Sequence, residues 1–216
     1  MTAQSFLRRT SGATANHEFS GVSNYRNEQI VAQGLPQFAQ LSAENRGWQV
    51  QGTTARAALV VRPTTTANLT LFNNNPLGSG IVMVIDRIFA FNLVSTAAQA
   101  RSSLWHCVHP VGMTKPTADL ATFASMSGYA SAYSGGAVVD EAATVVDNGW
   151  FVCGNWGDVE PTGVLPGGSM EYQPLGRLIL PPTAGLSVQV VSSVVGNTYT
   201  CGIAWWELAL ETGTPG

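Results

Sequence analysis

From residue 56 to residue 208 the chain reads as short apolar runs of strand character, each closed by Gly, Pro or Asn. The runs are Arg56–Arg62, Ala67–Phe72, Ile81–Val94, Leu104–His109, Thr144–Cys153, Leu175–Leu180, Leu186–Val195 and Thr198–Leu208. Short strands recurring with turn signals between them point to an all-β sandwich or barrel. The expected fold is a β-sandwich, of jelly-roll type, behind an extended N-terminal arm. At 216 residues, a single domain of this kind buries roughly 70% of its unfolded surface, enough for a core without metals or disulfides.

The turns have a chemical basis. Asn73–Gly80 combines residues that tolerate positive φ with a proline that fixes φ. Pro181–Gly185 does the same before the penultimate strand, and Gly196-Asn197 predicts a closing hairpin to the last one. Leu186, Val188 and Val190 alternate with Ser187 and Gln189, which predicts a strand with one solvated face. In Ile81–Val94 strict alternation puts Ile81, Met83, Ile85, Phe89, Phe91 and Leu93 on one face and Val82, Val84, Ile88, Ala90 and Val94 on the other. Both faces are apolar, so this strand is expected to be covered on both sides.

Three domain-level segments follow: 1–46 as an arm, 47–210 as the sandwich, and 211–216 as a tail. The arm is polar and sparsely apolar, with a short helix expected around Phe38–Arg46. Pro110–Val138 and Asn155–Pro174 are long for loops, and long loops are usually functional or disordered. Within the first, Thr117–Met126 is expected to be helical with Leu120 and Phe123 inward.

No catalytic constellation is visible. There is no GxSxG elbow around Ser169, no phosphate-binding loop and no dinucleotide fingerprint. Asp140, Glu141, Asp147, Asp158, Glu160 and Glu171 show no spacing that selects an acid–base pair. His106, Cys107 and His109 are close in sequence. On a strand, however, His106 faces away from the other two, which leaves Cys107 and His109 without a third metal ligand. Cys107, Cys153 and Cys201 form no CxxC and read as buried thiols, with a Cys153–Cys201 bridge left open. No catalytic residue, cofactor or metal is therefore expected, and an enzyme with a dispersed active site is the least favoured reading.

Charge narrows the partners. Charged residues make up 11% of the chain, against about 25% in an average domain. A free monomer usually keeps a mixed charged surface, so the deficit suggests a surface covered by copies of the chain or by a larger particle. The net charge of −3 argues against electrostatic nucleic-acid binding. Met1–Thr10 lacks the apolar run of a secretory signal, and no segment has the length of a membrane span, since Asp86 and Arg87 interrupt the longest apolar run. Neither nucleic acid nor membrane is expected as a partner.

Two residue sets are candidates for contact. Trp205 and Trp206 point to opposite faces of the last strand, so one fills the core and the other needs a cover. Together with Phe6, Phe19 and Phe38 of the arm they are the expected subunit-contact residues. The loop aromatics Tyr129, Tyr133, Trp156 and Tyr172, among Ser and Gly, resemble an adaptable binding surface. They carry the alternative reading, a carbohydrate- or receptor-binding module.

Three segments then form a recognisable ending: Pro174–Pro182, Leu186–Val190 and Thr200–Glu207. This succession of proline-rich turn, alternating strand and aromatic-acid strand resembles the C-terminal strands of jelly-roll structural proteins of tailed phages and related viruses. The resemblance covers about residues 47–210 in architecture. It implies a virion component made in the host cytoplasm, a capsid decoration, cement or head-fibre protein. Such a protein is oligomeric, often trimeric, binds major capsid or other virion subunits, and has no catalytic residues to carry over.

Overall fold

The computed structural model describes residues 22–23, 29–30, 39–95, 100–117, 123–128, 133, 135–153, 157–159 and 168–209. The chain divides into two compact units, Met1–Gln40 and Leu41–Gly216. In the first, β1 (Val22–Ser23) pairs antiparallel with β2 (Gln29–Ile30). The expected short helix is α1, Ala39–Ala43.

The second unit is a sandwich of two antiparallel sheets. Its strands are β3 (Gly47–Gln51), β4 (Arg56–Ala57), β5 (Leu69–Asn73), β6 (Ile81–Val94), β7 (Ala100–His109), β8 (Ala124–Ser125), β9 (Ala137–Glu141), β10 (Trp150–Val152), β11 (Gly157–Val159), β12 (Ser169–Tyr172), β13 (Ile179–Leu180), β14 (Gly185–Ser192) and β15 (Thr198–Ala209). One sheet runs β12-β6-β15-β3-β8 and the other β10-β7-β14-β5-β9. Without the outer additions β8 and β9, each sheet keeps four principal strands. Numbered in chain order these lie as 6-3-8-1 and 5-4-7-2, the two interleaved Greek keys of a jelly roll.

The core between the sheets takes Trp48, Met83, Ile85, Ile88, Ile203 and Trp205 from the first, and Leu69, Leu71, Leu104, Leu186, Val188 and Val190 from the second. Each such side chain contributes about 1.5–3 kcal/mol on burial.

The structure corrects several sequence expectations. In β6 the register against β15 jumps from Arg87 to Ile85 as β15 passes from Ala204 to Trp205. Asp86 is thus an extra residue, a β-bulge that inverts the alternation. Met83, Ile85, Ile88 and Ala90 consequently all reach the core. The Gly196-Asn197 turn is no hairpin: β14 and β15 lie in different sheets, so it arches across the sandwich. Arg56–Arg62 supplies only the two residues of β4, while Val60 and Val61 are exposed. In Leu175–Leu180 only Ile179 and Leu180 are strand, and in Thr144–Cys153 only Trp150–Val152. The runs of β3 and β9 were not anticipated as strands. Of the expected Thr117–Met126 helix, Ala124 and Ser125 instead pair with β3, although Phe123 does pack on the core.

Candidate functional site

The supposedly solvated face of β14 is buried. Gln189 and Ser187 project from it beneath a strap made by residues 64–67 and 143–150. Val145 N–H donates to the Thr65 carbonyl (2.8 Å) and Ala67 N–H to the Ala143 carbonyl (3.2 Å). The Trp150 indole N–H reaches the Thr64 carbonyl (2.8 Å), and Gln189 Nε2 donates to the Thr66 carbonyl (3.2 Å). Arg62 clamps Asp147 through two bonds of 2.7 and 3.2 Å. That pairing raises the Arg62 pKa and lowers that of Asp147. Ala67, Cys107, Ala143, Val145 and Trp150 form a small second core under the strap.

Within this layer lies a relay. His109 Nδ1 is 2.8 Å from Asn148 Oδ1, and His109 Nε2 is 2.8 Å from Ser187 Oγ. Ser187 Oγ is in turn 2.9 Å from Thr70 Oγ1. The network is satisfied when Nδ1–H donates to Asn148, Ser187 donates to Nε2, and Thr70 donates to Ser187. Serine, histidine and an orienting amide are the parts of a nucleophilic triad. Here the serine and histidine lack access: Ser187 and its partner Thr70 are 0% exposed and His109 1%. Ser187 also sits on β14 between β5 and β7, in the middle of its sheet. A hydroxyl that no substrate can touch is a structural group, and it keeps a buried polar layer paired. Burial lowers the His109 pKa, partly offset by its bond to Asn148. The relay has no local sequence signature, because its members lie 39 and 78 residues apart.

As expected from alternation, His106 faces away from Cys107 and His109. It points toward the other sheet and stacks on Tyr172 (centroids 5.7 Å, 15° between planes), with Phe151 at 6.5 Å. Its Nδ1 is buried without a hydrogen-bond partner, and burial lowers its pKa.

Tyr133 belongs to neither the surface nor this cluster. It stacks on Phe123 (4.4 Å), meets Trp48 edge-on (4.7 Å) and donates its hydroxyl to Glu207. Burial, reinforced by Glu207, raises its pKa. Tyr133 thus sits by β3 and β15, whereas Tyr172 lies on β12 at the far edge of the same sheet. The expected aromatic binding surface is corrected on this point: its two described members are apart and packed inward. Tyr129 and Trp156 lie outside the described residues.

Trp205 and Trp206 do face opposite ways, but the chain itself covers both. Trp205 is fully buried between the sheets, and Trp206 is 5% exposed. The Trp206 ring lies over Gly47, where an added Cβ would stand 2.4 Å from it; Phe89 covers Gly202 in the same manner. The expectation that the two tryptophans form a subunit contact is corrected accordingly, since neither has appreciable area left to bury. Phe6, Phe19 and Phe38 lie outside the described residues.

The carboxylates are committed separately. Glu141 accepts from Thr53 Oγ1 (3.1 Å) and Thr54 N–H (3.2 Å), and Glu171 accepts from Gln173 Nε2 (2.6 Å). Among the described residues no group of three His, Cys, Asp or Glu could hold a metal. The three cysteines are free and buried, and the Cys153 and Cys201 thiols are pushed up to about 12, chiefly by burial. No helix among the described residues is long and apolar enough to cross a membrane. No family model, curated protein or solved structure matches the chain.

Proposed function

We propose that this chain is a virion structural protein, a capsid decoration, cement or head-fibre component that associates with itself and with capsid subunits. The observation that carries the reading is an eight-stranded jelly roll in which the Ser187–His109 constellation is sealed under a strap. Jelly rolls occur in capsid proteins and also in lectins and cupins, so the fold alone decides nothing. Low charge, together with apolar side chains such as Phe151 and Leu175 left in solvent, favours a scaffold that completes its surface by association. The polar residues 1–46 act as a tie to neighbouring subunits.

Negative-stain images of the purified chain test this: regular closed oligomers or shell-like particles are expected, and a field of separate small monomers would refute it. Removal of residues 1–46 is expected to weaken assembly; undiminished assembly would refute the role of the arm. The glycan-binding alternative is less favoured, because Tyr133 and Tyr172 are engaged in packing.

A further inference from the structure

Both sheets end on the same side of the sandwich in short strands. On that side β10 and β11 flank β7 at the end of one sheet, and β12 and β13 flank β6 at the end of the other. The His106–Tyr172 stack, with Phe151 beside it, shows that the two edges lie against one another. Natural edge strands are blunted by shortness, lysine, proline or inward-pointing charge. β10 is short, but Trp150-Phe151-Val152 carries no charge and no proline. Phe151 is 65% exposed, Leu175 75% and Ile179 44%, with Val152 also in solvent.

Leu175 is costly in a second way. Its φ is 53°, followed by 78° at Gly176. Arg177 N–H donates to the Pro174 carbonyl at 3.1 Å, closing a tight turn. Two successive positive φ values call for Asn-Gly or Gly-Gly. A leucine at such a place, unsupported by packing, is explained by a contact outside the monomer.

Charges of opposite sign stand on β12 and in the turn that follows it, Glu171 holding a hydrogen bond from Gln173 Nε2. Glu171 on β12 and Arg177 in the adjoining turn are both exposed. Neither has a salt bridge among the described residues. An edge carrying one acid and one base around an apolar strip complements itself: in a contact between like edges, the acid of each copy meets the base of the other.

We infer that the edge formed by β10, β12 and the Pro174–Arg177 turn is the contact between copies of this chain. Phe151 and Leu175 are its apolar centre, and Glu171 of one copy pairs with Arg177 of the next. The inference rests on the self-association proposed above and names the surface that carries it.

The test is the native mass of the full chain and of four variants by sedimentation velocity, with circular dichroism to confirm folding. Phe151→Asp is expected to dissociate the oligomer. Glu171→Arg and Arg177→Glu each place like charges across the contact and are expected to weaken it about tenfold or more. The double variant Glu171→Arg/Arg177→Glu restores opposite charges and is expected to recover the wild-type mass. Both charges are exposed, so these variants do not depend on tolerance in the core. An oligomeric wild type whose mass survives all four variants would overturn this edge and leave self-association standing. Dissociation by the single reversals without recovery in the double variant would overturn the Glu171–Arg177 pairing. A monomeric wild type would overturn both the edge and the proposed function.

Discussion

Ser187→Ala separates a structural relay from a catalytic one. Ser187 Oγ has two buried partners, Thr70 Oγ1 at 2.9 Å and His109 Nε2 at 2.8 Å. Deleting it leaves both unsatisfied in a layer closed to water. Each orphaned group costs about 1–3 kcal/mol, so the variant should lose about 2–6 kcal/mol. Thr70→Val removes only the terminal link, leaving Ser187 bonded to His109, and should cost about 1 kcal/mol. Adding Thr70→Val to Ser187→Ala removes one of the orphans. The double variant should therefore be more stable than the sum of the singles by about 1 kcal/mol. Equilibrium urea unfolding at fixed protein concentration reads this as a midpoint lower by about 1–3 M for Ser187→Ala, at an m-value of about 2 kcal/mol/M. A catalytic serine behaves otherwise, since its removal abolishes chemistry and leaves stability unchanged or raised. A Ser187→Ala variant within about 0.5 kcal/mol of wild type, or labelling of Ser187 in the native protein by a fluorophosphonate probe, would refute the structural assignment.

Two further outcomes follow from the packing and the titratable groups. Gly47→Ala would drive a methyl group to within 2.4 Å of the Trp206 ring; overpacking of this kind costs about 1–3 kcal/mol, and a midpoint equal to wild type would contradict the placement of Trp206. Burial lowers the pKa of both His106 and His109 in the folded chain. Their contribution is therefore complete above the unfolded value of about 6.5 and is lost as pH falls through the lower folded values. Thermal stability should drop between neutral and mildly acidic pH, less so in His106→Phe, and an identical slope in that variant would remove His106 from the account.

The all-β class was legible because β-branched and aromatic runs were separated by turn chemistry. The inward face of β14 was also legible, since Leu186, Val188 and Val190 alternate. What lay opposite was not: Ser187 and Gln189 read as solvated, because nothing local shows that a strap from residues 64–67 and 143–150 crosses them. The bulge at Asp86 was hidden for a similar reason. Periodicity assumes an unbroken pleat, and one extra residue reverses every later assignment. Gly196-Asn197 shows the limit of turn signals, which mark a reversal of the chain without saying whether it stays in one sheet. That one of Trp205 and Trp206 fills the core was legible, but not that it is Trp205. Trp206 seemed to need a partner because the glycine at position 47 on the neighbouring strand could not be paired with it from sequence. The His109 relay and the edge at Phe151 are tertiary properties, since their members meet only after the Greek keys close.

The most direct test of the account is the native mass of the purified full-length chain across a range of concentrations. A single stable multiple of the 22.7 kDa chain is the predicted result. A mass equal to one chain at every concentration would contradict self-association and, with it, the structural role proposed for this protein.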